Sequence, residues 1–154
     1  MMETPLHFKT ITELAALIKA KALSPVEVTD AMLTRIQEQD PQYKSYATVI
    51  AEQARASALA AEVAIAAGNY LGSLHGVPIA VKDLCFTKGV ATMGATKALM
   101  GHVPDFDCTV VQKLNAAGAV ILGKLNLTEG AMAGYNPEFQ VPVNPWGANL
   151  WSGA

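Results

Sequence analysis

The segment Leu74-His75-Gly76-Val77-Pro78-Ile79-Ala80-Val81-Lys82-Asp83 sets an apolar run, Val77 to Val81, between a turn and two opposite charges. A short continuous apolar run bounded by turn residues is the pattern of a strand buried on both faces. This one delivers a lysine and a carboxylate at its end. Downstream, Asp105 or Asp107 is placed to cap a helix through Val110, Val111 and Leu114 that ends at Gly118, and Ala119 to Leu122 reads as the next strand. Strand, helix and strand in that order predict a right-handed βαβ unit. The fold class is therefore α/β, a sheet covered by helices.

Working outward, the N-terminal side is helical. Ile11, Leu14, Leu17 and Ile18 share one face after the cap candidates Thr10 and Thr12, with Glu13 near the positive end of the helix dipole. Ser24-Pro25-Val26-Glu27 reads as a capping box with proline at the first helical position, and Val28, Met32, Leu33 and Ile36 follow on one face. This second helix is expected to run to Gln39 and stop before Pro41. Tyr46 to Ile50 is a β-prone run. Ala51 to Ala67 is an alanine-rich helix ended by Gly68-Asn69. After Glu129, the density of glycine and proline predicts loop.

Composition narrows the function. The chain has 154 residues, 51% hydrophobic, with 11 Lys plus Arg against 13 Asp plus Glu and a formal charge of −2. The basic residues form no stripe, so neither nucleic acid nor an anionic membrane is expected as a partner. Cys85 and Cys108 are too few for a disulfide framework or a thiolate metal site, which favours a reducing, cytoplasmic compartment. His7, His75 and His102 share no helical spacing that would aim two of them at one metal. The start lacks the pattern of a secretory signal, and the apolar stretch from Ala54 to Ala67 is broken by Arg55, Ser57 and Glu62. Neither a metal nor a cofactor is expected.

Lys82 is the residue with chemical potential. An apolar strand that carries an ammonium into a low-dielectric site disfavours its charge. Lowering its pKa from ~10.4 to about 7 to 8 would make it a general base. The other reading is a chain emerging from the sheet with Lys82 and Asp83 solvated, and the strand by itself favours this commoner outcome. Asp83 either orients the loop by hydrogen bonding or caps a turn, and the turn cap is the favoured reading. His75 precedes the strand, has no serine at nucleophile-elbow spacing, and is read as a satisfied loop histidine.

Several segments taken in order change the balance. Leu74 to Asp83 resembles the L-x-G-V-P-I-x-V-K-D segment of the amidase signature family. Asp107-Cys108-Thr109-Val110-Val111 with Leu114, Ala117-Gly118-Ala119 and Ile121-Leu122-Gly123-Lys124-Leu125-Asn126 resembles its D-A-x-x-V-x-x-L-x-x-A-G-A-x-x-x-G-K-x-N. Thr92 and Gly94, Thr128-Glu129, Asn144-Pro145-Trp146 and Gly153-Ala154 match later features, the last being the opening of a G-G-S-S-G-G loop. Gly130 stands where the family usually has a larger residue, and Ala154 where it has a second glycine.

The resemblance implies an amidase-signature domain, with a mixed sheet as its core covered by helices on both faces, whose N-terminal part is residues 1–154, with 1–70 the helical segment and 71–154 the start of the catalytic core. It implies hydrolysis of linear C–N bonds, in amides or in carbamates such as urethanes, and of esters, by a serine, cis-serine and lysine triad through an acyl-enzyme. Lys82 matches the lysine, and Gly130, Ala131 and Met132 match a loop that lines the acyl pocket, with ordinary packing of Ala131 and Met132 an equal alternative. Both serines would follow Ala154 in the remainder of the domain, so the chain by itself is expected to be inactive. Ser152 is given a supporting role at most, and Ser73 is placed in a turn. Trp146 and Trp151 either shape an entrance or pack in the interior. The partner expected is a small amide or carbamate, and a homo-oligomer stays open. Two other classes compete: the amidase subunit of an amidotransferase complex, and a non-catalytic α/β binding domain.

Overall fold

The computed structural model describes residues 4–132 and 134–153. It contains helices α1 (Ile11–Lys19), α2 (Pro25–Tyr43), α3 (Ala51–Ala66) and α4 (Thr109–Ala116) and strands β1 (Tyr46–Val49), β2 (Pro78–Lys82) and β3 (Val120–Leu125). Short 3-10 turns lie at Leu6–Phe8, Lys97–Leu99 and Glu129–Ala131. The expected helical N-terminal part and the strand, helix, strand order of β2, α4 and β3 are both present, and the class is α/β.

The helix boundaries follow from their caps. Thr10, not Thr12, caps α1: its hydroxyl accepts from the Glu13 amide while the Glu13 carboxylate accepts from the Thr10 amide, a complete capping box. Ser24 caps α2 by accepting from the amides of Val26 (3.0 Å) and Glu27 (3.3 Å), and its hydroxyl turns to the carboxylate of Glu62 on α3. At the far end of α2 the expected stop before Pro41 is wrong, because the helix runs through it to Tyr43. Proline's fixed φ is helical and costs one intrahelical bond. The following turn is closed by Lys44 N–H on the Asp40 carbonyl (2.7 Å), and the Asp40 carboxylate accepts from the Ser45 amide (2.6 Å). At the end of α3, Gly68 takes φ +90° while its amide and that of Asn69 close on Ile65 and Ala64.

The chain divides into two compact units. The first comprises residues 1–35, 50–79 and 113–122; the second comprises 36–49, 80–112 and 123–154. The core of the first is Leu14, Ile18, Leu23, Val28, Ile65 and Val77, with Leu6, Leu17, Met32 and Tyr70 packed against it. Leu14, Leu17, Ile18, Val28 and Met32 lie on the apolar faces the helical periodicity predicts, whereas Ile11, expected on the same face of α1, is exposed. Burying each such side chain contributes about 1.5–3 kcal/mol.

The strands form a sheet in the order β1-β3-β2. β1 is antiparallel to β3, with Tyr46 opposite Leu125 and Val49 opposite Gly123, and a bulge between Tyr46 and Thr48. Val120 N–H donates to Val77, and Asp83 N–H donates to Leu125, so β2 and β3 run in the same direction. β3 is the central strand and is buried from Val120 to Lys124. Burial on both faces, the expectation for β2, is not what the structure has. β2 is an edge strand of this sheet, with Val81 buried but Pro78, Ile79 and Ala80 only partly so. β3 also extends three residues beyond the expected end at Leu122: Gly123 continues the strand opposite Val49, where a Cβ would lie 2.2 Å from the Thr48 carbonyl oxygen, so this glycine marks a close strand approach and not a turn.

Gly118 joins α4 to β3 and needs to be glycine on two counts. Its φ is +75°, and a Cβ there would lie 2.4 Å from Cδ2 of His75. Gly118→Ala is expected to destabilise the protein by roughly 2–4 kcal/mol through backbone strain and overpacking. Denaturant unfolding monitored by circular dichroism measures this.

Candidate functional site

The lysine singled out in the sequence closes β2. Lys82 is half-buried, and its Nζ donates to the carbonyl oxygen of Asn126 at 3.2 Å. That acceptor is itself fixed. Asn126 follows β3 directly; its backbone amide donates to Ser45 (2.8 Å) and its side-chain amide to the Lys44 carbonyl (2.8 Å). The head group is thus held against main chain at the strand's end.

Asp83 does more than the expected capping of a turn. It is almost fully buried. Its amide donates to Leu125 (2.9 Å), its carbonyl accepts from Gly94 (3.0 Å), and its Oδ2 accepts from the Met93 amide (3.0 Å). Its other carboxylate oxygen, Oδ1, lies 3.4 Å from Nζ of Lys124. One residue therefore joins β3, the end of β2 and the 92–94 loop.

Lys124 is the participant that sequence reasoning missed. It is 0% exposed, and its Nζ donates to Oγ1 of Thr92 at 2.7 Å while facing the Asp83 carboxylate. The Thr92 hydroxyl passes on to the Val90 carbonyl at 3.1 Å. Burial pushes the Lys124 ammonium below its ordinary value, while Asp83, first, and the Cys85 and Cys108 thiols oppose that shift. The two cysteines are free. Burial, with Cys108 beside it, raises the Cys85 thiol and so keeps it protonated and unreactive. The available signal for Lys124 is its position in β3 just beyond Gly123, a residue that reads as a strand end. Ending the strand at Leu122 hides it.

The expected pocket residues are placed less decisively. Gly130, Ala131 and Met132 form an exposed turn in which Gly130 and Ala131 both have φ +59° and Met132 is 91% exposed. A single hydrogen-bonded path ties this turn to the lysine: Gly130 N–H donates to Gly94 (2.8 Å), whose own amide donates to Asp83. Trp146 and Trp151 are exposed in this chain; the Trp151 ring is tilted 36° against that of Tyr135, with ring centroids 4.9 Å apart. Ser152 Oγ lies 2.9 Å from the Tyr135 hydroxyl, and Ser73 is exposed in a turn. Ala154, assigned to the opening of a glycine-serine loop, lies outside the described residues.

His75 is a buried structural residue, as expected. Its Nδ1 accepts from the Leu71 amide at 3.1 Å, and its ring packs on Gly118.

An α/β chain with a lysine leaving the carboxyl end of a strand, backed by a buried ion pair, is the class these observations define. The family model for amidases matches residues 27–154, and the chain belongs to the amidase signature family. It is 52% identical over 143 residues to a Mycobacterium tuberculosis protein named as a putative amidase, AmiD, covering 93% of this chain and 30% of that protein. It is 49% identical over 139 residues to one of the subunits of the glutamyl-tRNA(Gln) amidotransferase of Geobacter metallireducens, covering 89% and 28%. Among solved structures, the peptide amidase of Stenotrophomonas maltophilia matches with a TM-score of 0.76 and 33% identity, over 81% of this chain and 26% of that one. The chain thus spans under a third of the length of these relatives. Among the described residues no helix is long and apolar enough to cross a membrane.

Burial lowers the His75 pKa below its ordinary 6.5. The unfolded chain therefore takes up this proton at higher pH than the folded one, and stability is lost as pH falls below about 6.5. Chemical denaturation from pH 7 to pH 5 is expected to show a shallower decline for His75→Gln than for the native protein.

Proposed function

We propose that this chain is the base-bearing part of an enzyme that hydrolyses linear carbon–nitrogen bonds, with Lys82 as the general base. The observation that carries this reading is the position of Lys82. The side chain is half-buried at the end of a strand, with its amine on the Asn126 carbonyl. Family membership over residues 27–154 supports the reaction class.

In this reading residues 1–154 form the N-terminal part of a single catalytic domain, and the remainder supplies two serines. Lys82 accepts the proton of a relay serine as that serine takes the proton of the nucleophile. The nucleophilic oxygen bonds to the carbonyl carbon, the C–N bond breaks, and the departing nitrogen takes up the relayed proton. Water then hydrolyses the acyl-enzyme. Gly130, Ala131 and Met132 line the acyl side, an assignment supported by the hydrogen-bonded path from Gly130 through Gly94 to Asp83. The substrates proposed are small carboxamides, aryl amides and carbamates such as urethanes, in a reducing cytoplasmic compartment that suits the two free cysteines. A second reading, the amidase subunit of an amidotransferase complex, rests on the 49% identity to an amidotransferase subunit.

In the full-length enzyme, Lys82→Ala is expected to lower kcat/KM by about 10²–10⁴ on matched amide, ester and carbamate substrates, with little change in Tm. Near-native hydrolysis by that variant would overturn the assignment. Residues 1–154 alone are expected to hydrolyse none of the panel.

A further inference from the structure

We propose that Lys124 is a positioning residue for the chemistry at Lys82, acting through Asp83 and Thr92; this rests on the reading of Lys82 as the base. Three observations carry it. First, Lys124 is wholly enclosed, with its ammonium committed to Thr92 Oγ1 at 2.7 Å and to the Asp83 carboxylate at 3.4 Å. It has no path to a substrate, which excludes a direct catalytic role and leaves an indirect one. Second, a buried lysine and aspartate are a poor way to gain stability, since well-packed apolar residues commonly serve as well or better. The pair is better explained by what it holds in place.

Third, what it holds is the turn that carries the base. Asp83 adjoins Lys82 in the chain, and its polar groups fix two separate pieces of backbone: Leu125 at the end of β3, and the adjacent Met93 and Gly94 of the following loop. Gly94 in turn accepts from Gly130. Lys124 neutralises the carboxylate at the hub of these contacts and clamps Thr92, the residue beside Met93. Without that ammonium, Asp83 would be drawn toward water, and the end of β2 would move with it. The nitrogen of Lys82 must sit within about 3.2 Å of the oxygen whose proton it accepts, so a displacement of about 1 Å is enough to slow the reaction markedly.

The test uses the full-length enzyme with an acyl p-nitroanilide, measuring kcat, KM, Tm and the rate of serine labelling by a fluorophosphonate. Lys124→Met is expected to lower kcat and the labelling rate about 100-fold, with KM changed less than threefold, at a temperature where the variant is folded. Adding Asp83→Asn, which removes the stranded charge, is expected to recover at least tenfold of that loss, whereas a merely structural role would leave kcat per folded molecule unchanged. If Lys124→Met fails to fold, Thr92→Val decides, with an expected drop in kcat of about tenfold at native KM. Native kcat in the variant so tested, or a loss that tracks the unfolded fraction, overturns the inference. Lys82→Ala is run alongside: if it is inactive while Lys124→Met is native, only the positioning role fails, whereas an active Lys82→Ala removes the base reading itself.

Discussion

The buried pair of Lys124 and Asp83 is the constraint on which the second unit of this chain depends. Two charges taken out of water cost several kcal/mol each, and their mutual attraction offsets this only when the remaining polar atoms are also satisfied. That requirement explains the local architecture. Oδ2 of Asp83 takes the Met93 amide, Nζ of Lys124 takes the Thr92 hydroxyl, and Thr92 finds the Val90 carbonyl. Each bond fixes a segment that has no regular secondary structure of its own. The loop after β2 is ordered by polar contacts converging on a buried charge, where an apolar core would leave it free to choose among conformations.

The first unit is held differently. Its order comes from apolar helix faces meeting at Ile18, Val28 and Val77, and from caps that satisfy the helix ends, such as the Thr10–Glu13 box and Ser24. These are local devices with strong signatures, which is why the helices are legible from residue types alone. Pro41 misleads for an equally local reason: the rule that proline stops a helix holds only where nothing else closes the next turn, and Asp40 closes it here.

The site is legible only in part. Lys82 stands out because a charge directly after Val77–Val81 interrupts an apolar run, and the structure places it at that strand's end with its amine on Asn126. Lys124 carries the same kind of signal at the end of β3 but is hidden when that strand's length is underestimated. Its partner is distant in sequence, so no spacing rule joins the two. Asp83 reads as a turn cap because its contact with Lys124 exists only once β2 and β3 lie side by side. The pocket segment at Gly130–Met132 is a clear motif with exposed geometry in this chain, and its proposed role depends on surfaces in the rest of such an enzyme.

The central claim is that Lys82 is held fixed and presented to a serine hydroxyl. A high-resolution crystal structure of the full-length enzyme in its native sequence tests this most directly. The account predicts Lys82 Nζ screened from solvent and within about 2.6–3.2 Å of a serine Oγ, with the Lys124–Asp83 pair intact behind it. An amine turned into solvent with no serine hydroxyl in reach would contradict it.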